Sequence, residues 1–138
     1  MLTGLWTIGI KVPDLERELA FHRQMGNALV LDETIELDGN SFRLVLVKMG
    51  DKYVHLAEKM VYEGLLSAEL PFGMTHLVYI SDSFEADLAK ATDSGAIAIR
   101  PVATVSAGFG ERHVAFMQSP SGWIFEIIEI KKNLVPRV

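Results

Sequence analysis

The chain has 138 residues, a length that suits one domain or two small modules sharing one core. With 49% apolar and 22% charged residues it is expected to be globular, and a net charge of −5 without a basic face argues against a nucleic-acid partner. The absence of cysteine excludes thiolate chemistry, so any metal must bind through histidine and carboxylate side chains. No segment is apolar enough to span a membrane and the N-terminus does not resemble a signal peptide, so we expect a cytoplasmic protein.

The first half of the chain is predicted to form a strand, a helix and three further strands. Apolar residues alternate with small or polar ones at the start, which indicates a half-buried strand with an apolar face of Ile8, Ile10 and Val12. Leu15 and Leu19 lie one helical turn apart in the segment that follows. The later strands are predicted over residues 28–37, 41–48 and 53–58.

The second half is predicted to repeat this order. It starts with a strand that contains His76, and its helix begins near Asp82 or Ser83. Strands are then predicted over residues 96–105, 112–118 and 123–130. Between the first two of these lies a glycine-rich loop at residues 107–110, which lacks a phosphate-loop lysine and is expected to be a mobile loop; closure over a cavity is left open.

The two halves match as an internal repeat. At a shift of 69 residues the pairs that coincide are Leu15 and Phe84, Leu19 and Leu88, and Gly26 and Gly95. At a shift of 71 residues, which one hairpin of different length would produce, His55 coincides with Glu126. The sequence therefore predicts an α+β fold of two βαβββ modules, about 4–59 and 74–131, joined by a linker over 60–73. Curved mixed sheets would surround a shared cavity in a single domain, 1–138.

Four repeat-equivalent positions point away from the predicted helices. Thr7 and His76 form one equivalent pair, and His55 and Glu126 form the other. Glu126 lies in a strand that is apolar on both faces, where an unpaired carboxylate is costly. Two imidazoles and one carboxylate are a common set of ligands for Fe, Mn, Co, Ni or Zn. We therefore predict a divalent metal site of His55, His76 and Glu126.

The other histidines are assigned no function. His22, on the first helix, is expected at the surface, and His113 is expected to be an ordinary strand residue. Glu58 and Glu129 point to the strand face opposite the predicted ligands. No catalytic base is evident, so the catalytic residues are not predicted.

Two segments resemble the vicinal oxygen chelate superfamily, which includes glyoxalase-like enzymes, extradiol dioxygenases and bleomycin resistance proteins. The first is Ile8–Arg17, followed by Phe21 and Gly26. The second is Ser119–Ile127, which is similar to the family's turn-and-strand motif before the last metal ligand. The resemblance covers residues 4–130 and implies two βαβββ modules, a divalent metal, a small-molecule substrate that chelates through two oxygens, and a homodimer.

The resemblance places the family's four ligand positions at Thr7, His55, His76 and Glu126. Thr7 stands where many members have histidine, so it is expected to be a weak fourth ligand or to hold a water molecule. His55 stands where glyoxalase-like members have a carboxylate or an amide. This rearranged set argues against true glyoxalase I activity. In an alternative register, Thr75 would replace His76 as a ligand.

Three functions remain open from the sequence. The first is a metal-dependent isomerase, lyase, dioxygenase or resistance-type transferase. The second is a metal-free protein that binds a small molecule or an antibiotic, with cavity walls that include Trp6, Tyr53 and Phe109. The third is a regulatory domain that only dimerises.

Overall fold

A computed structural model describes residues 1–136. The chain is α+β, with two helices outside one long curled sheet, and the predicted pair of related modules is confirmed. No helix in the described part of the chain is both long and apolar enough to cross a membrane.

The elements of the two modules follow in chain order. The first module contains β1 (Leu2–Lys11), α1 (Leu15–Gln24), β2 (Ala28–Leu37), β3 (Asn40–Met49) and β4 (Lys52–Ala57). A linker with one 3-10 turn (Glu63–Leu65) follows. The second module contains β5 (Gly73–Ser81), α2 (Phe84–Asp93), β6 (Ile97–Ala98), β7 (Ala103–Ala107), β8 (Gly110–Gln118) and β9 (Ile124–Asn133).

The nine strands form one continuous sheet in the order β2-β3-β4-β1-β5-β9-β8-β6, with β7 also paired to β8. Each module pairs its first strand in parallel with its last, β1 with β4 and β5 with β9. The antiparallel pairing of β1 with β5 joins the modules. The first strand of each module therefore lies at the middle of the sheet.

Each helix covers the outer face of its own module. Asp14 caps α1 by accepting a hydrogen bond from the Arg17 backbone N–H at 3.1 Å, and Leu15 and Leu19 pack on the sheet. Phe84 of α2 packs in the same way on the second module. The inner face of the sheet is left for a separate core shared by both modules.

Two polar contacts connect the outer strands of the modules across the inner face. Arg100 forms an ion pair with Asp38, at the β2–β3 turn, with 2.6 Å between Nη2 and Oδ2. The carboxylate of Glu33 on β2 accepts a hydrogen bond from the backbone N–H of Gly108 at 2.6 Å. The sheet therefore curls far enough for a single chain to surround its own interior.

The strand predicted over 96–105 is wrong in one respect, because it is interrupted. β6 ends at Ala98 and β7 begins at Ala103, so both pair with β8 but leave a gap between them. Pro101 lies in the gap, where it has no N–H to donate to a neighbouring strand. The break also allows Arg100 to leave the sheet and reach Asp38.

The predicted surface position of His22 is also wrong. The side chain is buried, because α1 turns this residue toward the loop that follows it. His22 Nδ1 is 3.0 Å from the side-chain nitrogen of Asn27, and Nε2 is 3.9 Å from a Glu18 carboxylate oxygen. It is thus a structural residue of the helix end.

A buried ion pair attaches the linker to the sheet. Lys11 Nζ lies 2.7 Å from the Glu63 carboxylate and 2.8 Å from the carbonyl oxygen of Leu70, and both charged side chains are buried. Glu63 also accepts a hydrogen bond from the Met60 backbone N–H. Because a buried charge needs a partner, this pair fixes where the linker crosses the end of β1.

We expect Lys11→Met to destabilise the protein by about 3–5 kcal/mol, because it leaves Glu63 buried without its cation. The double variant Lys11→Met/Glu63→Leu should recover most of this loss, since neither charge is then buried alone. Chemical denaturation of both variants and the wild type measures the free energies of unfolding. A double variant as unstable as the single one would contradict this role for the pair.

Candidate functional site

Three residues on neighbouring strands form the floor of the site. Gly9 of β1 pairs with His55 of β4 on one side and with His76 of β5 on the other. The two imidazole ring centres are 6.2 Å apart. A Cβ at Gly9 would lie within 2.7 Å of His76 Nε2, so the ring of His76 occupies the space that a side chain at position 9 would fill. The absence of a side chain at Gly9 therefore makes room for His76.

Thr7 and Glu126 lie in the next row of the same sheet. Both flank Val78 of β5, Thr7 from β1 and Glu126 from β9. Thr7 is buried, and the side chain of Glu126 is 12% exposed. The four positions predicted from the repeat thus line one cavity in one chain.

His76 is the most closely held of these residues. Its Nε2 lies 3.1 Å from a Glu126 carboxylate oxygen, but no hydrogen bond to this buried nitrogen is formed by the described residues. On the other side of the ring, Nδ1 is 2.8 Å from the Tyr62 hydroxyl and 2.9 Å from the Thr75 hydroxyl. A hydroxyl either donates or accepts, so Tyr62 fits either tautomer of His76. His76, and not Thr75, is the residue that borders the cavity.

His55 is held as a neutral imidazole. Burial, with a smaller contribution from the neighbouring His76, lowers the pKa of His55 to about 3. A neutral imidazole has a free nitrogen lone pair, which is the form that binds metals. Burial also raises the pKa of Tyr62, so its hydroxyl stays protonated.

The cavity above these residues has a volume of about 60 Å³ and mainly apolar walls. Trp6, Phe109 and Phe116 contribute aromatic rings, and the predicted wall residue Tyr53 packs against Trp6 without bordering the cavity. A larger cleft of about 570 Å³ lies outside, and Leu37 and Val61 line both spaces. These two side chains therefore lie between the cleft and the cavity.

The donor chemistry suits a divalent ion, although the ligands are not gathered around one point. No group of three or more His, Asp or Glu side chains is arranged to hold a metal ion among residues 1–136. His76 and Glu126 form a close nitrogen–oxygen pair with an orphaned Nε2, and His55 offers a neutral imidazole on the same floor. Nitrogen and oxygen donors of this kind fit Zn, Fe, Mn, Co or Ni.

Three residues of the site were not predicted from the sequence to act there. Tyr62 lies in the linker, where no periodic pattern marks it. Gly9 lies on the strand face opposite Ile8 and Ile10, but its contact with His76 requires the pairing of β1 with β5. Arg112, which borders the cavity, lies on the same face of β8 as Val114 and Phe116, and this two-residue spacing is its sequence signal.

Solved structures similar to this chain share its fold at low sequence identity. A variant of the Streptomyces coelicolor methylmalonyl-CoA epimerase in complex with 2-nitronate-propionyl-CoA has a TM-score of 0.73 at 20% identity, covering 96% of this chain and 100% of that one. Methylmalonyl-CoA epimerase from Mycobacterium tuberculosis has a TM-score of 0.67 at 20% identity, covering 93% and 88%. A xylose isomerase-like TIM barrel/4-hydroxyphenylpyruvate dioxygenase fusion protein has a TM-score of 0.70 at 16% identity, covering 99% of this chain and 27% of that one.

No protein-family model matches the sequence, and no curated protein matches it. The structural similarity covers nearly the whole chain, as the sequence resemblance did. The chain therefore has the fold of the vicinal oxygen chelate superfamily.

We expect Gly9→Ala to displace the His76 ring and to cost about 1–3 kcal/mol of stability, because the added methyl group overlaps it. The double variant Gly9→Ala/His76→Ala should be less destabilised than the sum of the single variants. Gly4→Ala on the same strand is the control, since nothing lies within 4 Å of its Cβ position. If the loss of stability in the double variant equals the sum of the losses in the two single variants, residues 9 and 76 do not compete for space.

We expect His55 to make the protein less stable as the pH falls below about 6.5. Its folded pKa is about 3 and the unfolded value is about 6.5, so in this range only the unfolded state takes up the proton. As the pH falls from 5.5 to 4, the free energy of unfolding of the wild type should decrease by about 1.4 kcal/mol per pH unit relative to that of His55→Gln. Chemical denaturation with chelator present measures both. If the free energies of unfolding of the two proteins change in parallel with pH, His55 is not held as a buried neutral imidazole. His113→Gln serves as the histidine control.

Proposed function

We propose that this protein is a small metal-dependent enzyme that binds its substrate through two adjacent oxygens at a divalent ion. The observation that carries the proposal is the close contact of His76 Nε2 and the Glu126 carboxylate on the cavity floor, with that nitrogen otherwise unsatisfied. His55 is the proposed third ligand, and Thr7 is the proposed weak fourth ligand or the residue that holds a water molecule.

Each side chain has a separate part in this proposal. His76 and His55 would supply imidazole nitrogens, and Glu126 would supply a carboxylate oxygen. Tyr62 holds the ring of His76 from its far side, which keeps Nε2 directed at Glu126. When bound, the ion would act as a Lewis acid on the chelated oxygens.

The cavity walls limit the reaction that can be assigned. Among the described residues that line it, Glu126 is the sole carboxylate and no lysine is present, so there is no separate general base beside the proposed ligands. Isomerase, lyase, dioxygenase and transferase activities therefore remain outcomes of a substrate screen. Because the similar structures include epimerases and a dioxygenase fusion, isomerase and dioxygenase activities are the first to assay.

A metal-free binding protein is the second candidate. The aromatic walls at Trp6, Phe109 and Phe116 favour it, since such a cavity binds an apolar small molecule without an ion. This candidate expects ligand binding to survive His55→Ala, whereas the metal-dependent proposal expects it to be lost.

Both candidates keep the expectation of a homodimer in the cytoplasm. All four proposed site positions come from one chain, so the proposed site does not require a partner subunit. Equilibrium sedimentation at micromolar concentration measures the oligomeric state.

We expect the purified protein to bind one Mn²⁺, Co²⁺, Ni²⁺ or Zn²⁺ ion per chain and to become more stable with it, because a ligand that prefers the folded state raises its stability. His76→Ala and Glu126→Ala should lose this binding, and Tyr62→Phe should weaken it about 10–100-fold. Isothermal titration and thermal unfolding measure both effects.

His113→Ala is the matched control, since this histidine also pairs with a glutamate, Glu129, at 3.2 Å but lies outside the cavity lining. Absence of binding by every ion, with unchanged thermal stability, would reject the metal-dependent proposal. Binding that His76→Ala leaves intact would place the ion elsewhere.

A further inference from the structure

Arg112 is a fully buried cation at the wall of the same cavity. It lies on β8 with its side chain on the inner face. Val114 and Phe116 lie on the same face of this strand, and all three residues border the cavity. None of its surface is exposed, and it is among the largest completely buried side chains of the described residues. The proposed function gives this residue no part.

In the part of the chain that the structure describes, the guanidinium group has only neutral oxygens as hydrogen-bond partners. Nη1 donates to the carbonyl oxygens of Lys132 and Glu111, and Nη2 donates to the side-chain oxygen of Asn133 at 2.8 Å. Among residues 1–136, Nε has no hydrogen-bond partner and no carboxylate lies within ion-pairing distance of the group. Within this part of the chain, Arg112 therefore keeps a free N–H and a positive charge without an opposite charge.

Two aromatic rings hold the guanidinium in place. Its central carbon lies 4.8 Å from the ring centre of Trp6 and 4.9 Å from that of Phe109. The bulge in β1 between Leu5 and Thr7 lies at Trp6, so that Trp6 and Thr7 both border the cavity. These contacts stabilise a cation and orient its plane, but they do not neutralise its charge.

Lys11, the other buried cation of the inner face, differs from Arg112 in having a carboxylate partner. Lys11 is buried to a similar degree and has the carboxylate of Glu63 at 2.7 Å. Burial lowers the pKa of Arg112 to about 10, which still leaves it charged at neutral pH. A buried charge without an opposite charge is costly, and at Arg112 the adjoining empty space is the cavity.

We infer that the ligand of this cavity is a small organic acid whose anionic group pairs with Arg112. An arginine is the side chain best suited to a carboxylate, and an anion here would satisfy the free Nε–H and balance the charge. The cavity of about 60 Å³ limits the group that enters it to a small one, such as the acid end of a short carboxylic acid. The inference rests on the proposed function in taking this cavity as the ligand site.

Propionate and propionamide test the inference, because they have the same shape and differ in charge. Each is titrated into metal-free wild-type protein at constant ionic strength with chelator present, and binding is followed by thermal unfolding and calorimetry. We expect propionate to bind at least tenfold more tightly than propionamide. Equal affinities, or no binding of propionate, would overturn the inference.

Arg112→Met removes the charge and keeps most of the side-chain volume. This variant should lose the preference for propionate, whereas Arg17→Met, which removes an exposed arginine of α1, should keep it. Propionate binding that Arg112→Met leaves unchanged would place the anion elsewhere and overturn the inference. If Arg112→Met does not fold, Arg112→Lys is used, and it should retain a preference for the anion that is weaker than that of the wild type.

Metal titration of the same proteins separates this inference from the proposed function. Arg112→Met keeps His55, His76 and Glu126, so it should bind the metal ion as the wild type does. Failure of the wild type to bind metal would reject the proposed function while the comparison of propionate with propionamide still decides the role of Arg112.

Discussion

The antiparallel pairing of β1 with β5 is the constraint on which the site depends. It places Gly9 directly beside His76, and the parallel pairing of β1 with β4 places His55 on the other side of the same glycine. The ring of His76 fills the space over Gly9, so both imidazoles come to one floor although they belong to different modules. Any side chain at position 9 would separate them.

The remaining polar groups of the interior depend on this arrangement. The linker returns across the end of β1, held by Lys11 and Glu63, and so brings the Tyr62 hydroxyl to His76. The pairing of β5 with β9 then brings Glu126 to the other side of the His76 ring. Among the fully buried side-chain nitrogen and oxygen atoms of the described residues, two lack a hydrogen-bond partner: His76 Nε2 and Arg112 Nε. Both belong to residues that border the cavity, where a ligand would meet them.

Much of the fold could be predicted from the sequence because the repeat and strand alternation are local patterns. The two-residue period correctly placed Thr7, His55, His76 and Glu126 on the inner face. The interruption at Pro101 and the burial of His22 depend on local chain direction, which the alternation does not report. The prediction of a metal ion at His55, His76 and Glu126 stays a prediction.

The contacts of the site could not be read from these patterns, because they join residues far apart in the chain. Tyr62 reaches His76 from a linker without regular structure. Trp6 borders the cavity as expected, but the bulge in β1 that lets it share this cavity with Thr7 leaves no mark in the alternation. Arg112 could be placed on the inner face by alternation, but the absence of a carboxylate partner is a property of the folded interior. Packing, and not local sequence, therefore decides which polar groups are left for a ligand.

The central claim is that His55, His76 and Glu126 share one divalent ion. Crystals of the protein grown with Co²⁺ or Mn²⁺, with diffraction recorded at the absorption edge of that metal, test it most directly. We expect one anomalous peak per chain, in contact with the side chains of these three residues. An anomalous peak at another position, or none at full metal loading, would contradict it.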